Sequence, residues 1–179
     1  ALEAVNTMMI PERLGTAAMT IGAARPALEV AGSYSMKRKA FGQPINRFQG
    51  VSFQVAEAAM LLDACRSLVY TTSLSVDRGA DPNTVRRLVS ETKRFVTESC
   101  QKVARNAMQV MGGIGYTNVF PIERIVRDLG LASIWTGTNE VMSMIIAHEW
   151  YAEHARTGSV RNVEADAPEA LAEGEKIFD

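Results

Sequence analysis

The sequence is poor in the residues that form covalent or metal cross-links. It has two cysteines and two histidines in 179 residues, with no Cys-Xaa-Xaa-Cys pair and no His-Glu-Xaa-Xaa-His segment. So few scattered ligands predict no metal site. Cys65 and Cys100 each lie within an apolar helical pattern, which predicts buried, reduced thiols. Reduced thiols favour a reducing compartment, either a bacterial cytoplasm or a mitochondrial matrix.

An excess of either charge sign and long apolar runs are also missing. The 19 basic and 20 acidic residues give a net charge of -1, which argues against nucleic acid or an anionic membrane surface as a partner. Charged residues interrupt every stretch of about 18 residues that could span a membrane. The N-terminus has no basic head followed by an apolar segment, so no signal peptide is predicted. A start at Ala1 instead of Met suggests a piece of a longer chain.

Apolar residues recur at helical spacing along most of the chain, and no segment alternates with a period of two. The pattern predicts helices over about Pro11 to Lys37, Phe48 to Asp77, Asn83 to Met111, Pro121 to Leu129 and Asn139 to Glu153. Long helices joined by short turns predict an all-α fold, an up-down-up-down four-helix bundle with a short extra helix. We expect one bundle domain over residues 1–154 and a polar tail rich in Ala and Glu over residues 155–179.

Two short motifs have both a structural and a functional interpretation. Gly112-Gly113-Ile114-Gly115 follows a predicted helix, so on its own it is typical of a helix C-cap and turn. Lys37-Arg38-Lys39 ends the first helix, where cations complement the helix dipole. The Arg38 guanidinium could instead hold a phosphate group of a cofactor.

Several separated motifs share one order and spacing. They are Arg38 to Ile45, Phe48-Gln49, Gln109 to Tyr116, Arg127-Asp128 and Gly137 to Glu140. In this order they resemble the C-terminal domain of the acyl-CoA dehydrogenases, over about Glu12 to His154. The resemblance implies a four-helix bundle that forms the last third of an FAD-dependent enzyme. Such an enzyme converts an acyl-CoA thioester to the trans-2-enoyl-CoA and passes electrons to an electron-transfer flavoprotein.

The resemblance also implies a shared cofactor site. In the family the bundles assemble into dimers or tetramers, and each bundle reaches the FAD held by its neighbour. Arg38 matches the residue that contacts the FAD pyrophosphate, and Phe41 the aromatic beside it. The remaining implied cofactor contacts are Gln49, Gln109, Gly112, Gly113, Thr138 and Glu140.

The sequence departs from the family at the catalytic base. Most members carry a Glu directly before Gly-Thr, whereas Thr136 stands there in this chain. The isovaleryl-CoA and long-chain acyl-CoA dehydrogenases also lack that Glu and carry one at the start of the first bundle helix. Glu12 matches the second position and is the candidate base, although a Glu in a first helical turn is also favourable through the helix dipole.

Arg13, Trp135 and Gly137 match the surroundings of the substrate in the family. Trp135 could shape the acyl pocket or be a core aromatic residue.

Two other functions stay open. The chain could be a non-catalytic subunit or assembly module of a heteromeric acyl-CoA dehydrogenase, with Thr136 marking the lost base. It could also belong to a relative that uses the scaffold for oxidase or other flavin chemistry. As an isolated piece, we expect the chain to fold and oligomerise, but neither to bind FAD tightly nor to catalyse the reaction.

Overall fold

The computed structural model describes the backbone of residues 2–157 and the side chains of residues 8–157. Nearly all of this part is helical, which confirms the all-α prediction. The helices are α1 (Leu2–Lys37), α2 (Gln49–Asp77), α3 (Pro82–Met111), α4 (Gly113–Tyr116), α5 (Ile122–Ala132) and α6 (Asn139–Thr157). The predicted tail lies outside the described residues except for 155–157, which continue α6.

Three predicted helix ends are wrong. Helix α1 begins at Leu2 instead of Pro11, α5 ends at Ala132 instead of Leu129, and α6 continues to Thr157 instead of ending at Glu153. Residues 2–10 contain neither Gly nor Pro, so the sequence favours helix on both sides of Pro11. Pro11 removes one backbone N–H, but it does not end the helix. Pro26 is also inside α1. Its ring replaces the N–H that would otherwise bond the Gly22 carbonyl four residues earlier.

Helix α3 is the central helix of the bundle and packs against α1, α2, α5 and α6. Ala17, Ala24 and Ala31 of α1 are fully buried, because small side chains allow two helix backbones to come close. Ile21 and Leu28 of the same helix are only partly buried and line an open groove between α1 and α2. Helix α1 therefore has one side of buried alanines and, next to it, an apolar side that is only partly covered within this chain.

Helix α6 runs antiparallel to α3 and is fixed to it by polar contacts. Near its start Asn139 donates to Thr97 Oγ1 over 3.0 Å. Further along, Arg86 Nη1 donates to Glu149 Oε1 over 2.7 Å, and the Glu149 side chain is only 5% exposed. Removing one partner of a buried ion pair leaves an uncompensated buried charge, and this costs more stability than the intact pair contributes. These contacts fix the position of the loop that precedes α6.

Short elements complete the fold. Strands β1 (Lys39–Ala40) and β2 (Gln43–Pro44) form an antiparallel hairpin after α1. A 3₁₀ turn over Ile45–Arg47 then leads into α2. Two-residue strands are too short to show an alternating pattern, which is why the sequence predicted none. No helix in the described part of the chain is long and apolar enough to cross a membrane.

Both cysteines are free and buried, as predicted. Cys65 on α2 and Cys100 on α3 belong to the same apolar cluster and are fully buried. The hydrogen bond with Cys65, together with burial, raises the pKa of the Cys100 thiol. A thiol held in its neutral form is a poor nucleophile, so Cys100 is part of the core packing, and Cys65 lies buried in the same cluster.

Candidate active site and cofactor-binding end

The loop between α5 and α6 has a strained backbone. Thr136 has a φ of 54° and Gly137 a φ of 96°, and a positive φ is uncommon for a residue with a side chain. The Asn139 amide donates to the Ser133 carbonyl over 3.0 Å, which closes the loop at its base. Such a conformation persists only where the surrounding structure enforces it.

Two cations on different helices hold this loop through consecutive carbonyl groups. Arg13 Nε of α1 donates to the Thr136 carbonyl over 3.2 Å. Lys93 Nζ of α3 donates to the Gly137 carbonyl over 2.8 Å and to Asn139 Oδ1 over 3.0 Å. The loop is thus tied to both of the helices that pack behind it.

A side chain at Gly137 would be strained and would displace its neighbours. A Cβ atom there would lie 2.9 Å from Met142 Cε and 3.4 Å from Arg13 Nη2. Its φ also lies in the region that glycine populates freely. Arg13 bonds the carbonyl of Thr136, directly before Gly137, and this brings together two of the residues that the sequence predicted near the substrate.

The other predicted residues at this end differ in their surroundings. Trp135 is partly exposed, and Glu12 is exposed and makes no hydrogen bond or ion pair with the described side chains. Thr136 Oγ1 is buried and has no hydrogen-bond partner among the described residues. Glu12 directly precedes Arg13 in the sequence, but its carboxylate has no partner within the described part of the chain.

Thr138 and Glu140 form the start of α6. The Val141 amide donates to Thr138 Oγ1 over 3.4 Å, and the Met142 amide donates to the Thr138 carbonyl over 3.0 Å. Thr138 therefore acts as a helix N-cap. Bonds from its own backbone amide and from the Thr138 side chain lower the pKa of the exposed Glu140 carboxyl.

The remaining predicted residues cluster at the opposite end of the bundle. Arg38 follows α1 and is exposed, and Gln49 is the exposed first residue of α2. Phe41, at the tip of the hairpin, is 96% exposed. It has a φ of 51° and packs edge-on against Phe48, with the ring centroids 6.0 Å apart.

The end of α3 lies beside this group. Gly112 ends α3 with a φ of 63°, as the sequence predicted for a C-cap. A Cβ atom on Gly112 or Gly113 would meet nothing within 4 Å, so the backbone here faces open space. A cleft of about 670 Å³ opens between α1 and the segment after α3, lined by Tyr34, Lys37, Arg38, Ile114 and Phe120 among others.

The two ends are far apart. Arg13 and Arg38 are separated by 25 residues, nearly all within α1. At about 1.5 Å per helical residue this is a separation of about 37 Å. Arg13 and Arg38 therefore lie at two separate parts of the bundle surface.

A sequence profile of the acyl-CoA dehydrogenase C-terminal domain matches residues 2–150. The chain belongs to the acyl-CoA dehydrogenase family. This confirms the resemblance that the spaced motifs indicated.

Similar proteins place the chain within the family. An acyl-CoA dehydrogenase of Bacillus subtilis (strain 168) is 38% identical over 135 residues, which are 75% of this chain and 35% of that protein. The structure of butyryl-CoA dehydrogenase from Megasphaera elsdenii has a TM-score of 0.79 at 31% identity, covering 84% of this chain and 39% of that one. An FAD complex of PigA has a TM-score of 0.78 at 25% identity, covering 83% and 38%. The chain therefore spans a little over a third of the length of these relatives.

The residues of this acyl-CoA dehydrogenase domain are suited to a dinucleotide cofactor at the Arg38 end. Lys37, Arg38 and Lys39 are exposed cations, which suit phosphate groups. The open backbone at Gly112 and Gly113 permits close approach of a ligand. Within the described residues, no group of three or more His, Cys, Asp and Glu side chains could hold a metal ion.

Sequence reasoning missed Lys93 and Asn139, which hold the loop in place. Lys93 lies four residues after Val89 and three before Val96, and all three side chains are buried. The available signal was a lysine at a helical position where the pattern predicts a buried apolar residue. Its partners on the loop are 44 and 46 residues away, so no local pattern reveals them.

The titration of Lys93 gives a testable pH dependence of stability. Burial and the nearby charge of Arg13 on α1 lower the pKa of Lys93 from 10.5 to about 8, against the opposing effects of Glu140 on α6 and Glu98 on α3. The folded protein therefore releases this proton more readily than the unfolded chain. The resulting stabilisation is complete above the unfolded pKa and is lost as the pH falls through about 8.

We expect the melting temperature of the wild type, relative to Lys93→Met, to rise between about pH 8 and pH 10. Thermal unfolding of both proteins in a pH series measures this difference. If the melting temperatures of the two proteins change in parallel with pH, or if their difference shrinks as the pH rises, the lowered pKa of Lys93 is contradicted.

Proposed function

We propose that this chain is the C-terminal bundle of an enzyme that dehydrogenates an acyl-CoA thioester to the trans-2-enoyl-CoA with FAD as cofactor. The observation that carries the proposal is the bond from Arg13 to the Thr136 carbonyl. It joins two motifs that are 123 residues apart in the chain. One contains Glu12, and the other contains the position where most family members carry the base.

In this proposal Glu12 removes the α-proton of the thioester. A carboxylate becomes a stronger base when apolar groups desolvate it, because desolvation favours its protonated form. Glu12 is exposed in this chain, so the proposal requires that the bound acyl group and cofactor cover it. Thr136 cannot substitute, since its hydroxyl is not a base at neutral pH and is buried within the loop.

Arg13, Trp135 and Gly137 would line the substrate side of this site. Arg13 is half-buried, and burial together with the charge of Arg86 lowers its pKa. It stays a cation, because an arginine is not deprotonated in proteins. Its positive charge lies beside the loop, where it can stabilise negative charge that develops on the thioester.

At the other end, Arg38 and the lysines beside it would neutralise the cofactor phosphates. Phe41, Gln49, Gln109 and the glycine pair would contact the same group. When bound, FAD supplies the acceptor for the hydride that leaves the β-carbon of the substrate. The separation of about 37 Å along α1 supports an oligomer in which these residues serve the cofactor of a neighbouring copy.

A dimer or homotetramer fits the surface of the bundle. Large apolar side chains are exposed on α2 and α6, among them Phe53, Met60, Tyr70, Met144 and Trp150. Large apolar side chains exposed along a helix are typical of surfaces that another domain or subunit covers. An electron-transfer flavoprotein is the proposed acceptor of the electrons, and a cytoplasm or mitochondrial matrix the proposed location.

The test is anaerobic mixing of the full-length protein with a panel of straight-chain, branched and long-chain acyl-CoAs. We expect at least one of them to bleach the oxidised flavin, and the matching enoyl-CoA to appear in equal amount. No bleaching by any thioester would contradict the proposal. Oxygen consumption during turnover would instead indicate oxidase chemistry.

The alternative is a non-catalytic subunit. Two observations favour it: Thr136 occupies the usual position of the base, and Glu12 has no partner among the described residues. Such a subunit would contribute cofactor contacts through Arg38 to an active partner. In that case the homo-oligomer would bind FAD, but no acyl-CoA would reduce the bound flavin.

A further inference from the structure

Lys93 is the largest fully buried side chain of the described part of the chain. It comes from the middle of α3 and ends at the loop before α6. All the hydrogen bonds that the structure gives its ammonium group go to Gly137 and Asn139. Asn139 in turn bonds Thr97 and Glu98 of α3, so the lysine belongs to a polar network that joins α3 to the loop.

A buried ammonium group is an unfavourable choice for filling space. Taking the charge out of water is expensive, and apolar residues of similar volume often give equal or greater stability. Met would fill the volume without a charge. The retention of a lysine therefore points to a role that depends on its hydrogen bonds.

That role follows from the direction of the peptide groups in the loop. In a trans peptide the C=O and the following N–H point in opposite directions. The Thr136 carbonyl points to Arg13 and the Gly137 carbonyl to Lys93. The amides of Gly137 and Thr138 are therefore directed away from α1 and α3, and neither donates a hydrogen bond to another described residue. The two cations together fix two consecutive donors facing outward.

We infer that Lys93 is a positioning residue for the acyl-CoA site. By holding the Gly137 carbonyl and Asn139, it fixes the Gly137–Thr138 peptide and the first turn of α6 relative to Arg13 and Glu12. Without it, Thr136 and Gly137 would be free to relax from their positive φ values. The catalytic part of this inference rests on the proposed function, whereas the structural part does not.

The experiment compares Lys93→Met with Lys102→Met in the full-length protein. Lys102 is the matched control, because it is on the same helix but is exposed and paired with Glu57. Hydrogen–deuterium exchange of a peptide over residues 134–141 reports on the loop, and a peptide within α3 reports on the bundle. We expect Lys93→Met to speed exchange in the loop by about tenfold to a hundredfold, with α3 unchanged, and Lys102→Met to change neither.

Steady-state kinetics with an active acyl-CoA adds a second readout. We expect Lys93→Met to lower kcat by about tenfold to a hundredfold with little change in KM and in FAD content, because the Arg38 end is remote. Lys93→Arg, which keeps a cationic donor, should recover part of the loss. If the wild type proves inactive, the proposed function fails, but the exchange data still decide the role of Lys93.

Unchanged exchange in the loop of Lys93→Met would overturn the inference, as would an equal rise in the loop and in α3. If Lys93→Met does not fold, Lys93→Arg decides. If the loop of Lys93→Arg exchanges at the wild-type rate, the inference is supported. If its loop exchanges faster although the cation is retained, the inference is overturned.

Discussion

Replacing Glu12 by Gln is expected to lower the rate of flavin reduction by acyl-CoA by about 10² to 10⁴-fold, the usual contribution of a general base. Gln preserves the size and polarity of the side chain but cannot accept the α-proton. Because Glu12 lies far from Arg38 along α1, FAD should stay bound at the wild-type stoichiometry. Stopped-flow absorbance of the flavin, with the cofactor content measured on the same sample, checks both parts.

Two further variants sharpen this result. Asp63→Asn removes an exposed carboxylate of α2 and should leave the rate unchanged. Adding Thr136→Glu to Glu12→Gln returns a carboxylate to the position that most family members use. We expect this double variant to recover part of the lost rate. Full activity in Glu12→Gln would remove Glu12 from the mechanism and favour another base.

Mixed oligomers of Glu12→Gln and Arg38→Ala chains are expected to be more active than either variant alone. Arg38→Ala removes a charge-assisted contact to phosphate and should weaken FAD binding by about tenfold to a hundredfold. If each site combines Glu12 of one copy with Arg38 of another, a mixed pair holds one site with both residues intact. About half of the wild-type activity per pair is then expected.

The control keeps the same two substitutions but places both on one chain, paired with a wild-type chain. For a site shared between copies, each site of this pair lacks one residue, so activity should be low. Two affinity tags, one on each chain, isolate the mixed species for assay. The reverse pattern, with low activity for the first mixture and high activity for the second, would show that Glu12 and Arg38 serve the same site within one chain.

Much of the fold could be predicted from the sequence because it depends on local periodicity. The bounds of α2 and α3 fall within one residue of those predicted from the apolar pattern. The wrong start of α1 has a physical reason: proline is favoured in a first helical turn and unfavourable in a helix interior, so Pro11 predicted a helix start, whereas α1 continues through it. The hairpin was missed because two residues per strand carry no pattern.

The candidate site was only partly predictable. The motifs indicated Arg13 and Gly137, and the structure bonds Arg13 to the Thr136 carbonyl, directly before Gly137. Lys93 and Asn139 were not found, because their importance depends on a contact between residues more than 40 positions apart in the chain. Periodicity reports which side of a helix is covered, but it does not report which polar atom a buried cation meets.

At Phe41 the stability of the free chain conflicts with the proposed assembly into an oligomer. Its positive φ is unfavourable by roughly 1–2 kcal/mol for a residue with a side chain, and its ring is almost wholly exposed to water. Both penalties are present before any partner arrives. A rigid aromatic that is already held in place loses little side-chain freedom when it inserts into a neighbouring surface. Mutations that relax this hairpin tip should therefore be favoured in selections for thermal tolerance alone and rejected wherever subunit association is required.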